Sequence, residues 1–356
     1  MILVKAFSRP HAIGVSALIC ALISSRRAQA GMGASKYSIN PIALVSITAA
    51  LVALGGCRSR SDVIAVIPRT TSTMFWETEH AGAEFAARKA GVRIRWNAPT
   101  REDDVQLQIG MVDRAIAQHC RGLILAPDEP RALMVPVERA LAAGVPTVVV
   151  GAALPIKSEG NLYSIVNDNE NIGRMAAFRV GKILNGHGQV AVVGIDPESL
   201  SSLAVLRSFV STMEERFPSV AIVERRRGAN NDLDSELILN QVLLSHPDVD
   251  AIFSLDSLGT IGAYLALKSR SLTGRVKVIG VQQSAELANA VRLHQIDALI
   301  AEDTYQMGYR AVELLTQPGG QSSHVIKLSP MLITAENVDA AETKPFITND
   351  WSTEVR

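Results

Sequence analysis

From Asp62 onward, short β-branched runs alternate along this chain with longer stretches whose apolar residues recur three and four positions apart. That alternation predicts parallel strands covered by helices, because each strand needs a crossover helix to reach a parallel neighbour. The first block predicts strands at 63–67, 92–96, 122–126 and 147–150, with helices over 75–90, 102–118 and 132–143 between them. Gly91 and Gly144 sit where the first and third helices should stop, since the residue past a helix often turns left-handed. A break is read at 165–169, where Asp168 or Asn169 can cap a helix over 170–184. The alternation then restarts, with strands at 189–193, 221–224, 251–255, 276–281 and 298–301 and helices over 202–217, 232–245, 257–269, 285–293 and 304–316. The chain therefore reads as two similar α/β halves. Ligands of open α/β sheets collect at the carboxyl ends of the strands, and two such edges facing each other make a cleft.

Ahead of this domain lies an apolar run, 41–54, that ends in Leu54-Gly55-Gly56-Cys57 and is followed at once by polar residues. It is short for a membrane span but suits the apolar core of an export signal, with Lys36 supplying the positive charge in front. A second apolar stretch, 12–23, lies upstream of Arg26-Arg27 and Ala28-Gln29-Ala30. Two signals in series make no physical sense, so translation is expected to begin at Met32. The Leu-Gly-Gly-Cys step resembles a bacterial lipobox, in which the leader is cut before the cysteine and the thiol is acylated. That resemblance implies residues 1–56 as leader, Cys57 as the lipidated first residue of the mature protein, and 57–61 as a linker.

Composition narrows the partners. The leader holds five of the 35 basic residues and no acidic one, so the 300 residues after it carry 30 basic against 35 acidic side chains, near −5. A mildly acidic chain argues against nucleic acid, whose binding rests on a concentrated positive face. Three hundred residues exceed what one core usually organises, so two lobes are expected. Cys20 falls in the leader and Cys57 goes to lipid, which leaves Cys120 alone and excludes a disulfide framework. No metal site is expected, because the seven histidines show no HxxxH or HExxH spacing. The first strand is not followed by Gly-x-Gly-x-x-Gly, and no Walker or Gly-x-Ser-x-Gly motif occurs, so neither a cofactor nor an enzyme is expected.

Several segments carry a family likeness: Gly122-Leu-Ile-Leu-Ala-Pro-Asp128, Val137-Glu-Arg-Ala-Leu-Ala-Ala-Gly-Val-Pro-Thr147 and His246-Pro-Asp-Val-Asp-Ala-Ile-Phe253. Val278-Ile-Gly-Val-Gln282 and Ala298-Leu-Ile-Ala-Glu-Asp-Thr-Tyr-Gln-Met-Gly308 continue it. In order and spacing they resemble the ribose-binding-protein type of periplasmic solute-binding protein over about residues 62–338. The resemblance implies two Rossmann-like lobes joined by three crossovers, near 165–167, 302–304 and 328–331. The first lobe would be 62–166 with 304–328, the second 167–303 with 329–345, and 346–356 a tail. It also implies an extracytoplasmic monomer that holds a sugar-like small polar ligand for the permease and ATPase of an ABC importer.

Carried onto this sequence, the resemblance implies a ligand set of Thr73, Phe75, Trp76, Asn230, Asp256, Gln282 and Glu302. Phe75-Trp76 occupies the place of an aromatic pair that packs on one face of a sugar ring. The polar half departs from the family: Gly151-Ala152 stands in place of Asp-Arg, Val205 in place of a second arginine, and Asn230 in place of an aromatic. Asp256, Gln282 and Glu302 replace Asn, Asp and Gln. Two carboxylates without a nearby arginine suit a ligand rich in donors, or a cationic one held over the rings.

Blander roles stand beside these. Phe75 and Trp76 could be core anchors, Asp256 the cap of the helix from Ser257, Glu302 a charge at the crossover, and Gln282 a cap or a bond across it. Arg225-Arg226-Arg227 reads as a solvated strand end or loop. A sensor feeding a membrane receptor would present the same cleft. A repressor related to the lactose repressor would need an amino-terminal helix-turn-helix, and an apolar leader stands there instead.

Overall fold

The computed structural model describes residues 61–71, 74–101, 104–229, 231–281, 284–317 and 323–347. Cys57 and the leader, with Thr73, Asn230 and Gln282, lie outside the described residues. Two six-stranded sheets organise the rest. The first holds β1 (Val63–Ile67), β2 (Arg93–Trp96), β3 (Gly122–Leu125), β4 (Thr147–Gly151), β5 (Leu162–Asn167) and β11 (Val325–Leu328), in the order β11-β5-β4-β3-β1-β2 and parallel throughout. The second holds β6 (Gly188–Ile195), β7 (Val220–Arg227), β8 (Ala251–Ser254), β9 (Lys277–Val281), β10 (Ala298–Ala301) and β12 (Met331–Thr334), in the order β12-β10-β9-β8-β6-β7. Only β12 runs antiparallel to its neighbour.

Side chains alternate across each strand. On β1, Ile64 and Val66 face a core shared with α1 (Met74–Ala90) and α9 (Thr304–Thr316), while Ala65 and Ile67 face α2 (Val105–Ala117) and α3 (Pro130–Ala142). Both faces are covered, so the strand reads as an unbroken apolar run. The second sheet repeats the plan, with α4 (Asn169–Ile183) and α5 (Leu200–Arg216) on one face and α6 (Asp232–Ser245), α7 (Ser257–Ser269) and α8 (Ala285–Arg292) on the other. A short α10 (Lys344–Ile347) adds Phe346 and Ile347 to that core. Each large aliphatic side chain buried this way contributes roughly 1.5–3 kcal/mol.

Three passages connect the sheets: after Asn167, through Glu302-Asp303, and through Ser329-Pro330. The second sends α9 back onto the first sheet, where it packs closely on α1. A Cβ added at Gly82 would stand 2.0 Å from the Tyr305 carbonyl oxygen, and one at Gly308 2.0 Å from that of Glu79. Only glycine allows this approach.

Three elements differ from expectation. The break read at 165–169 is instead the end of β5, a strand whose polar end residues Asn167 and Asp168 look like a turn until pairing is known. The helix expected from 102 starts at Val105, because Asp104 caps it by accepting from the Leu107 N–H at 3.0 Å. The strand expected at 221–224 runs over Val220–Arg227, so the three arginines form its end, one of the two readings given them, and Arg226 is half-buried. Asp168, not Asn169, caps α4 by accepting from Asn171 at 3.1 Å.

Candidate functional site

The carboxyl ends of the strands of both sheets face a cavity of about 620 Å³. Phe75 and Trp76, in the first turn of α1, form part of its first-lobe wall. Their rings meet edge to face, with centroids 4.7 Å apart and planes at 77°, an arrangement that aromatic pairs favour. The two are not equivalent. Trp76 is only 5% exposed and belongs to the core beneath α1, so it offers the cavity an edge, while half-buried Phe75 offers more of its ring. Beside them Gly151 and Ala152, read from sequence as standing in place of Asp-Arg, leave the wall bare.

Asp256, at the end of β8, reaches the cavity from the second lobe. It is also the cap of α7: Oδ1 accepts from the Gly259 N–H at 2.7 Å and lies 3.5 Å from the Ser254 hydroxyl. Its capping and cavity roles are compatible, because the cap occupies one oxygen. Burial pushes the carboxyl up from the usual range, against the Gly259 and Ser254 hydrogen bonds, and the charge of nearby Asp196 pushes the same way. Gly194 makes room for it. With φ +75 and a Cβ position 2.4 Å from Asp256 Oδ1, that site admits no side chain.

Glu302 stands on the second passage and also lines the cavity. Burial lifts its carboxyl to about 7, opposed by the charge of Arg69 and by a hydrogen bond from the Asn167 amide. Of the residues singled out from sequence, the structure thus brings together Phe75, Trp76, Asp256 and Glu302. Val205, expected in place of a clamping arginine, is a buried residue on the second-lobe wall.

One expectation is corrected here: one of the two carboxylates, Glu302, does have an arginine near it. Arg69, two residues past β1, lines the cavity and faces Glu302. Its Nε donates to the Pro127 carbonyl at 3.1 Å, which spans the ends of β1 and β3. Fully buried Gln108 on α2 braces both loops, donating to the Ala126 carbonyl at 2.8 Å and accepting from the Asp128 N–H at 3.0 Å. Arg69 sits where ligands of such sheets collect, and that position was the available signal. Asp196, at the end of β6, was missed in the same way.

The arrangement can grip a small polar molecule from two sides, with an aromatic surface opposite charged acceptors. The chain is 25% identical over 280 residues to a D-apiose import binding protein of Paraburkholderia graminis, covering 78% of this chain and 88% of that one. It is 24% identical over 270 residues to a D-allose-binding periplasmic protein of Escherichia coli, covering 74% and 86%. These relatives are binding and import proteins, not enzymes. In fold, a carbohydrate transporter solute-binding protein from Agrobacterium radiobacter, solved with D-arabinose, is similar with a TM-score of 0.73 at 22% identity, covering 81% of this chain and 99% of that one. The model of the periplasmic binding protein domain matches residues 64–319, and the chain belongs to that family.

Proposed function

We propose that this protein captures a sugar or sugar-like solute between its lobes, outside the cytoplasm, and delivers it as a monomer to an ABC importer while a lipid on Cys57 holds it to the membrane. The observation that carries the reading is the interlobe cavity, with an aromatic pair on one wall and carboxylates on the other and at the crossover. Its volume suits one small ring, since ligand pockets run from about 300 to 1,000 Å³. The names of the relatives, which speak of D-apiose and D-allose, favour a pentose or hexose. Thr73, Phe75, Trp76, Asn230, Asp256, Gln282 and Glu302 form the assigned contact set, to which the cavity adds Arg69. Because both lobes contribute, a guest gains its full contacts only when they close on it, which is a hinge motion.

A thermal-shift screen of the full chain against D-apiose, D-allose, D-ribose and D-glucose tests the capture. A bound sugar should raise the melting temperature with a saturable dose dependence, by about 2.7 kcal/mol of stability at a hundred times Kd. No shift from any member would refute capture of a neutral sugar. The anchor is tested separately by labelling cells with a clickable fatty acid. Label should attach to the wild type and vanish in Cys57→Ala; equal labelling of both would exclude Cys57.

A further inference from the structure

The cleft's charges are not balanced. Three carboxylates line it, Asp196, Asp256 and Glu302, and among the described residues the only basic side chain there is Arg69. Arg69 faces Glu302, so the crossover end of the cavity carries its own counter-charge. The second-lobe wall does not. Asp196 and Asp256 repel each other, and Asp256 Oδ2 accepts no hydrogen bond from a described residue while its Oδ1 is taken by the α7 cap.

Two like charges lining one cavity, Asp256 partly desolvated and Asp196 more exposed, are unfavourable unless something positive comes between them. A metal ion is a poor candidate, since no group of three or more His, Cys, Asp or Glu among the described residues could hold one. The cavity is also large for an ion and has Phe75 on its other wall. We propose that the guest is a positively charged sugar analogue, an amino or imino sugar, with its nitrogen set against Asp196 and Asp256 and its apolar ring face against Phe75. This rests on the sugar-capture reading above and narrows it. A carboxylate pair recognises an ammonium by charge-assisted hydrogen bonds, and the ring face adds dispersion and a cation–π contribution.

Titration calorimetry on the full chain decides it. At roughly pH 6.5, where aliphatic amines of this kind are protonated, D-glucosamine and 1-deoxynojirimycin are compared with neutral D-glucose and N-acetyl-D-glucosamine and with anionic D-glucuronate. A cationic probe should bind at least about tenfold tighter than its neutral counterpart. Asp256→Asn, whose amide oxygen can still cap α7, should bring that ratio near one. Asp196→Asn, at an exposed position, provides the same readout if Asp256→Asn fails to fold. Equal or tighter binding of the neutral or anionic probes would overturn the charge preference and leave sugar capture standing. Failure of all these and of D-apiose, D-allose and D-ribose would remove both readings.

Discussion

The side-chain amide of Asn167, the last residue of β5, donates to Oε1 of Glu302, the first residue past β10. Two of the three passages between the lobes are thereby bonded to each other at the cavity. The third joins them, as the Asp168 N–H donates to the Leu328 carbonyl at 2.9 Å. A guest that reaches Glu302 therefore touches the group that also ties the crossovers, so occupancy and lobe posture share one carboxyl.

That carboxyl should make stability depend on pH. Its folded value of about 7 lies above the usual 4.5, so its contribution is fully present below about pH 4.5 and is lost as pH rises through about 7. Glu302→Gln should shrink the difference in unfolding free energy between about pH 5 and pH 8, read by urea titration. An unchanged difference would mean that the carboxyl is already ionised throughout that range.

Glu79 offers a second and larger case. It lies on the buried stripe of α1 with Trp76 and Ala83, is fully inaccessible, and neither oxygen has a hydrogen-bond partner among the described residues. Burial raises its carboxyl from 4.5 to about 8. The same sign holds: stability falls between those values, by at most ~1.4 kcal/mol per pH unit. Glu79→Met, which fills the space without a charge, should raise the melting temperature at pH 8.5, with the gain fading towards pH 5. A variant less stable than wild type at pH 8.5 would show that the carboxylate has a stabilising partner.

The contact between α1 and α9 should tolerate no added atom. Gly308→Ala would drive a methyl into the Glu79 carbonyl, a backbone atom that cannot swing aside. A loss of about 3 kcal/mol or more is expected, since overpacking of this kind costs roughly 1–3 kcal/mol even against movable side chains. The midpoint of urea unfolding measures it, and an unchanged midpoint would mean that the helices part without cost.

The aromatic pair should separate into a binding residue and a mainly structural one. Phe75→Ala should weaken binding of the tightest sugar in the panel about tenfold while the melting temperature barely moves. Trp76→Ala removes a core side chain as well and should cost ~3–5 kcal/mol of stability. If Phe75→Ala bound every probe as the wild type does, the ring would not be part of the contact surface.

The sequence by itself determined the order of the elements and the two-lobed plan. Strands such as Val63–Ile67 and Ala298–Ala301 are apolar on both faces because helices cover both, and that pattern is local. Asp168 and Asp256 could be read as helix caps because a cap needs only its own next three residues. Tertiary structure alone decided the strands β5, β11 and β12, whose half-exposed or polar-ended sequences become strands through partners far along the chain. It also decided that Trp76 turns mostly into the core, that Arg69 is propped over the cavity by Pro127 and Gln108, and that Asn167 meets Glu302 across 135 positions of sequence. Periodicity records which way a side chain must face within its own element. Which charges meet in a cleft depends on how two sheets come together, and no local spacing encodes that.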